Sequence, residues 1–119
     1  VVSRGSTEAL CLENDQVVRA LRFIRDHAHE GIRVPDVCRA AGIGRKTLEN
    51  HFRKTLGRAP FQEIRRVQIE HAKQILRDSV LKLDWIADRC GFNSGIHLSH
   101  EFRRHTGMTP NSYRKLYRN

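Results

Sequence analysis

Apolar positions along this chain recur every three or four residues rather than every two, which is the period of helices buried on one side. Val17, Leu21, Ile24 and Ala28 form a first stripe, with Asn14 or Asp15 as its cap and Gly31 as its stop. Val34, Val37, Cys38 and Ala41 form a short second stripe closed by Gly42, and Leu48 with Phe52 a third. Ile64, Val67, Ala72, Ile75 and Leu76 mark a longer helix opening at Pro60, a residue tolerated in a first turn. At about 17 residues it would be about 25 Å long. Leu83, Ile86, Ala87 and Cys90, then Leu98 with Phe102, then Tyr113 with Leu116 facing inward, complete the series. No stretch of four or more residues alternates as a strand does, so the pattern predicts an all-α chain.

The pattern also repeats. "VPDVCRAAGIGRKTLENHFRKTLGRAP" from Val34 and "LDWIADRCGFNSGIHLSHEFRRHTGMTP" from Leu83 follow one template, with Gly42 matching Gly91 at an offset of 49 and Phe52, Gly57 and Pro60 matching Phe102, Gly107 and Pro110 at 50. In each copy a glycine ends the first helix, since a left-handed residue after a helix suits glycine best. An apolar residue, Ile43 or Phe92, then plugs the corner. The second helix starts near Gly44 or Ser94, and serine is the better N-cap of the two. A helix, a tight turn and a second helix form the helix-turn-helix pattern, whose second member enters the DNA major groove. Seven helices in two helix-turn-helix subdomains joined by a long linker helix are therefore expected. Residues 1–13 read as a linker or the edge of a longer protein, 14–60 as the first subdomain, 61–78 as the linker helix and 79–119 as the second subdomain.

Charge sharpens this picture. Of 22 basic and 13 acidic residues, six of each lie in residues 1–43, so the net +9 falls entirely in residues 44–119. A polyanion is the natural partner of such a field, and the phosphate backbone is the commonest one. No apolar run approaches the length of about 20 residues that a membrane helix needs. Cys11, Cys38 and Cys90 are odd in number and lack C-x-x-C spacing, which points to a reducing cytoplasm rather than a disulfide framework or a zinc ribbon.

With these residues in view, the stretch 15–118 resembles the AraC/XylS family DNA-binding domain. "GFNSGIHLSHEFRRHTGMTPNSYR" is similar to the family's second helix-turn-helix unit, "RRVQIEHAKQIL" to its linker helix, and "VVRALRFIRDHAHEGI" to its xylose-responsive XylR branch. The resemblance implies the DNA-binding domain of a cytoplasmic transcription regulator, an activator among its expected roles, controlling sugar catabolism genes such as those for xylose. It also implies a sugar-binding domain N-terminal to this fragment, RNA polymerase as a second partner, and a monomeric fragment of a dimeric protein. Three departures stand out: in the linker helix Glu63 replaces a usual aromatic residue and Gln68 a common basic one, Gly44 replaces a usual serine, and Ile96 is apolar where many relatives are polar.

If Leu48 and Phe52 turn inward, the opposite face of the first recognition helix presents Arg45, Lys46, Glu49, Asn50 and Arg53. Asn suits adenine, Arg or Lys suits guanine, and Glu accepts from cytosine N4. The resemblance picks out Lys46, Glu49 and Asn50 as base readers, and Arg45 on the same face is expected to reach bases beside them; Glu49 has a plainer alternative as the partner of Arg45 or Arg53. On the second helix Gly95, Ile96, His97, His100 and Arg104 should face the groove, with Ile96, His97 and His100 reaching bases. Arg53, Lys54, Arg103 and Arg104 should hold phosphates. Arg65 and Arg66 either join them or pair with Glu63, Glu70 or solvent.

Other chemistry is poorly supported. His97, His100 and His105 are spaced along one helix, but zinc needs three or four converging ligands and Cys90 should point into the core, so no metal or other cofactor is expected. No Ser, His and Asp set, phosphate loop or carboxylate pair has a recognisable spacing, so the chain is not expected to be an enzyme. Trp85 should be part core and part cover. The alternative function is a DNA-targeting appendage of a repair enzyme, which would need a nucleophilic cysteine with activating neighbours.

Overall fold

A computed structural model describes the backbone of residues 4–117 and the side chains of residues 15–117. Among them the chain forms seven α-helices, one 3-10 turn and no strand. In order these are α1 (Arg4–His27), the turn (Ala28–Glu30), α2 (Val34–Ala41), α3 (Arg45–Leu56), α4 (Pro60–Asp78), α5 (Leu83–Cys90), α6 (Gly95–Thr106) and α7 (Pro110–Tyr117).

The expected start of α1 at Asn14 or Asp15 is wrong by a full three turns, because the helix already runs from Arg4. Residues 8–13, "EALCLE", are mostly strong helix formers with no proline, so nothing in the sequence forces a boundary there. Asp15 instead accepts from Arg19 one turn on, at 2.9 Å. The side chains of Cys11 and Asn14 and the whole of Arg118 lie outside the described residues.

Two cores form. The first gathers Val17, Ala20, Ile24 and Ala28 with Val34, Val37, Ala41, Leu48, Phe52 and Ile64; the second gathers Ile69, Ala72 and Leu76 with Ile86, Ala87, Cys90, Phe92, Leu98, Phe102 and Tyr113. The stripe 17, 20, 24 on α1 and the stripe 69, 72, 76 on α4 have the same spacing, so each recognition unit is a three-helix set, α1–α2–α3 and α4–α5–α6. The linker helix is thus no bare spacer. Ile64 at its start belongs to the first core and Ile69 onward to the second.

α7 closes the second unit. The Tyr113 ring packs edge-on against Phe102, centroids 5.4 Å apart, and Arg77 Nη1 donates to its hydroxyl at 2.7 Å. Arg114 donates to the carbonyls of Leu76 and Leu81 at 3.3 and 2.8 Å, which satisfies one acceptor in the last turn of α4 and one in the loop that follows it. Leu116 does not face inward as expected but is 63% exposed. α7 touches the core through Tyr113 in its middle turn, and Leu116 falls in its last turn, beyond that contact. Trp85, expected as part core and part cover, is 58% exposed and lies outside the second core, since Ile86 and Ala87 beside it take the buried positions of α5. Cys90 is fully buried and Cys38 half-buried.

Candidate DNA-reading interface

Both recognition helices are set down by a left-handed glycine followed by an apolar plug. Gly42 and Gly91 sit at φ 73° and 92°, and Phe92 is buried behind the second turn while Ile43 packs against the first core. The two N-termini differ. Ser94 Oγ accepts from the His97 amide at 3.1 Å, and Asp84 Oδ1, reaching over from α5, accepts from the Gly95 amide at 2.9 Å. Gly44 offers α3 no side-chain cap.

In α3, Leu48 and Phe52 are fully buried, and Arg45, Lys46, Asn50, Arg53 and Lys54 are exposed along the opposite side with Glu49 half-exposed. Arg45 Nε donates to Glu49 Oε2 at 3.2 Å, so the acid holds an arginine of its own face. His51, turned back, meets Gln16 of α1 at 3.1 Å and ties the helix to its own unit.

In α6, Leu98 and Phe102 are fully buried and Ile96, His100, Arg103 and Arg104 are exposed, Ile96 at 83%. Gly95 departs from expectation. It is buried, because a Cβ there would lie 2.6 Å from Asp84 Oδ1, the atom that holds its amide. His97 is only half-exposed: its ring stands edge-on to Phe92 at 5.3 Å, and its Nδ1 lies 3.4 Å from the Asn93 amide. The outward row of α6 therefore runs through Ile96 and His100 to Arg103, with His97 at its border. The offset of 50 that aligns Phe52 with Phe102 also aligns Lys46, Glu49 and Asn50 with Ile96, Ser99 and His100. Ser99, half-exposed, is the position that reading from side-chain type alone misses.

The cations expected at phosphates are placed unequally. Arg53 and Lys54 end α3, and Arg103 and Arg104 end α6, where they also suit the negative end of the helix dipole. Arg66 stands apart. Its Nε and Nη2 donate to the two oxygens of Glu63 at 3.1 and 2.7 Å, and the partner's hydrogen bond pushes its pKa up. Glu63 is buried and also lies 3.0 Å from Arg58, so the residue that replaces an aromatic is a partnered acid and Arg66 is chiefly its counter-ion. Gln68 is buried too, its Nε2 donating to the Ala28 carbonyl at 2.9 Å.

Among the described residues, no three of His, Cys, Asp and Glu converge as a metal site would require. Burial pushes the Cys90 thiol up to about 12 and raises Cys38 as well, the reverse of what an activated nucleophile needs. No described helix is long and apolar enough to cross a membrane.

A profile described as a helix-turn-helix domain matches residues 37–116. The chain is 32% identical over 116 residues to the "Xylose operon regulatory protein" of Escherichia coli K12, covering 98% of this chain and 30% of that protein. It is 37% identical over 105 residues to a "Putative AraC-like transcription regulator" of Streptomyces antibioticus, covering 87% of this chain and 34% of that one. The DNA-binding domain of AdpA, a global transcriptional factor solved with a target DNA, superposes with a TM-score of 0.80 at 32% identity, covering 87% of this chain and 93% of that one. The chain belongs to the AraC-type helix-turn-helix family. This AraC-type domain binds DNA and serves a transcription regulator. It spans about 30% of the length of the curated xylose regulator it matches. The structure of the xylose-binding activator xylR superposes on the AraC-type domain with a TM-score of 0.78 at 31% identity, covering 87% of this chain and 27% of that one.

Proposed function

We propose that α3 and α6 of this AraC-type domain read two subsites on successive major-groove faces of one duplex, about 34 Å apart. The observation that carries this reading is the recurrence of one outward row, 46, 49 and 50 in α3 and 96, 99 and 100 in α6, exposed but for the half-exposed 49 and 99, over the same buried Leu and Phe pair. Lys46, Glu49 and Asn50 supply directional hydrogen bonding to base edges. Ile96 suits a thymine methyl, and Ser99 and His100 donate or accept, so the second helix discriminates less sharply. Arg45 and His97 border these rows. Arg53, Lys54, Arg103 and Arg104 hold phosphates, with Arg66 in a lesser role beside Glu63. The two readers are the α1–α3 unit and the unit of α4 to α7, with α4 joining them, and no catalytic step belongs to them.

The likeness to xylose regulators supports a cytoplasmic protein whose sugar effector, a pentose such as xylose, binds a separate domain N-terminal to this one. It supports control of sugar catabolism genes, contact with RNA polymerase at the promoter, and pairing of two full-length copies to read repeated subsites, each alone monomeric in this region. The test is selection of bound sequences from random duplex DNA, followed by binding with Asn50→Ala and His100→Ala. Asn50→Ala should weaken the selected site by about 1–3 kcal/mol and relax the preference at one base position. Equal affinity of the unaltered chain for selected and random duplexes would defeat the reading.

A further inference from the structure

The two units meet at a junction that the outward rows do not use. α4 passes from the first core to the second between Ile64 and Ile69, and the turn between them holds Arg65 and Gln68. Gln68 reaches the first unit, through the Ala28 carbonyl at 2.9 Å, and its Oε1 accepts from Arg65 Nη1 at 2.8 Å. The Arg65 guanidinium lies 5.1 Å from the centroid of Phe61 on its own helix and 5.1 Å from that of Phe92 in the second unit's turn. Its Nε stands 3.6 Å from Glu101 Oε1, on α6 itself, and is buried without a hydrogen-bond partner. Glu101 in turn lies 3.9 Å from Arg104 and 3.8 Å from His105, whose pKa burial lowers, so its carboxylate faces two arginines, one of α4 and one of α6, and an imidazole. Gly91 presses against the same place, with the Ala28 carbonyl, the Gln68 amide and the Gly31 amide all too close for a side chain.

Such a centre is an expensive way to gain stability. Burial lowers the Arg65 pKa against the pull of Glu101, and one donor of a cation only 14% exposed goes unfilled. An apolar side chain of similar volume would fill the gap between two phenylalanines at less cost. What an arginine adds is direction: a rigid planar fork that stacks on aromatic rings and aims its donors at fixed partners.

We propose that Arg65 is the positioning residue that fixes α6 relative to α3, through Gln68 on one side and Phe92 and Glu101 on the other, and so sets the spacing of the two subsites one chain can read together. The inference rests on the two-reader function above. It differs from a phosphate role for Arg65 in what it moves: geometry between subsites, rather than overall affinity.

The experiment compares the 119-residue chain with its Arg65→Met and Glu101→Gln variants on three sets of duplexes. These carry both selected subsites, both subsites with the spacer altered by one base pair either way, or one subsite with the other randomised. Methionine keeps an unbranched stem between Phe61 and Phe92, and Glu101→Gln keeps shape while weakening the pull on Nε; thermal melting verifies that both fold. Arg65→Met should bind single-subsite duplexes within about twofold of the unaltered chain, yet lose about tenfold on the correctly spaced pair, as linked sites do when their geometry loosens. Its preference among spacers should flatten, and Glu101→Gln should shift the same way by less. Spacer profiles of both variants identical to that of the unaltered chain would overturn the inference. So would a uniform loss across all duplexes with a salt slope reduced by about one, the mark of a lost phosphate contact. If the unaltered chain itself bound paired and single subsites equally, the two-reader function would fail instead, and that result is seen before any variant is made.

Discussion

Gly91 carries two demands at one residue. Its φ of 92° lies in the left-handed region, and a Cβ would stand 2.6 Å from the Ala28 carbonyl oxygen and 2.9 Å from both Gln68 Nε2 and the Gly31 amide nitrogen. Gly42, the matching residue of the first unit, has φ 73° and nothing within 4 Å. Gly42→Ala should therefore cost only the left-handed backbone, about 1–2 kcal/mol. Gly91→Ala should cost about 1–3 kcal/mol more, because backbone atoms of another unit must move to admit the methyl. Urea unfolding of both variants checks this, and equal losses would mean the junction is looser than its contacts indicate. The repeat reveals that both positions need glycine, but not that one of them is crowded, since the crowding comes from a turn 60 residues upstream. Glu63 and Gln68 show the same limit: each looks like a misfit by residue type, and each has a partner, Arg58 with Arg66 or Ala28 with Arg65, that spacing alone does not reveal.

At the scale of single helices, the sequence signals were strong wherever a breaker and a buried stripe coincided. Gly31, Gly42, Gly57, Gly91 and Gly107 all take positive φ, and each stands directly after a helix or the 3-10 turn. Where no breaker exists the boundary is not legible, as at the start of α1, and where a helix is short its last turn escapes the core, as Leu116 does in α7. The faces of α3 were readable because Leu48 and Phe52 fix them; those of α6 were blurred by His97 and Gly95, which the α5–α6 turn draws inward. The caps give a test at this scale. Ser94→Ala should cost about 1 kcal/mol by freeing the His97 amide, while Asp84 continues to hold the Gly95 amide and keeps the helix start in place. Gly44→Ser, supplying the missing cap to α3, should gain a few tenths of a kcal/mol. Thermal unfolding read together with hydrogen exchange of the His97 amide separates the cap effect from any change in the helix as a whole.

Over the whole molecule, charge and architecture act together. The net +9 arises downstream of Ile43, and two of the seven acids there, Glu63 and Glu101, have side chains only 5% and 12% exposed and lie against arginines. Their negative charge is thus turned into the protein, and the surface that meets solvent is more one-signed than the count of acids suggests. On such a surface an exposed arginine in the last turn of a recognition helix acts through counter-ions released from the duplex, a contribution blind to sequence. On the proposed reading Arg103 is that residue in α6: it is exposed, in the final turn, and on the outward row one turn past His100. Arg103→Ala should weaken selected and random duplexes by the same factor and reduce the slope of log affinity against log salt by about one. Asn50→Ala should do the opposite, weakening the selected site alone and leaving the slope unchanged, because a base contact displaces no counter-ion. Titrations of both variants at three salt concentrations on both kinds of duplex separate the two outcomes, and a loss for Arg103→Ala confined to the selected sequence would make that arginine a base reader rather than a phosphate contact.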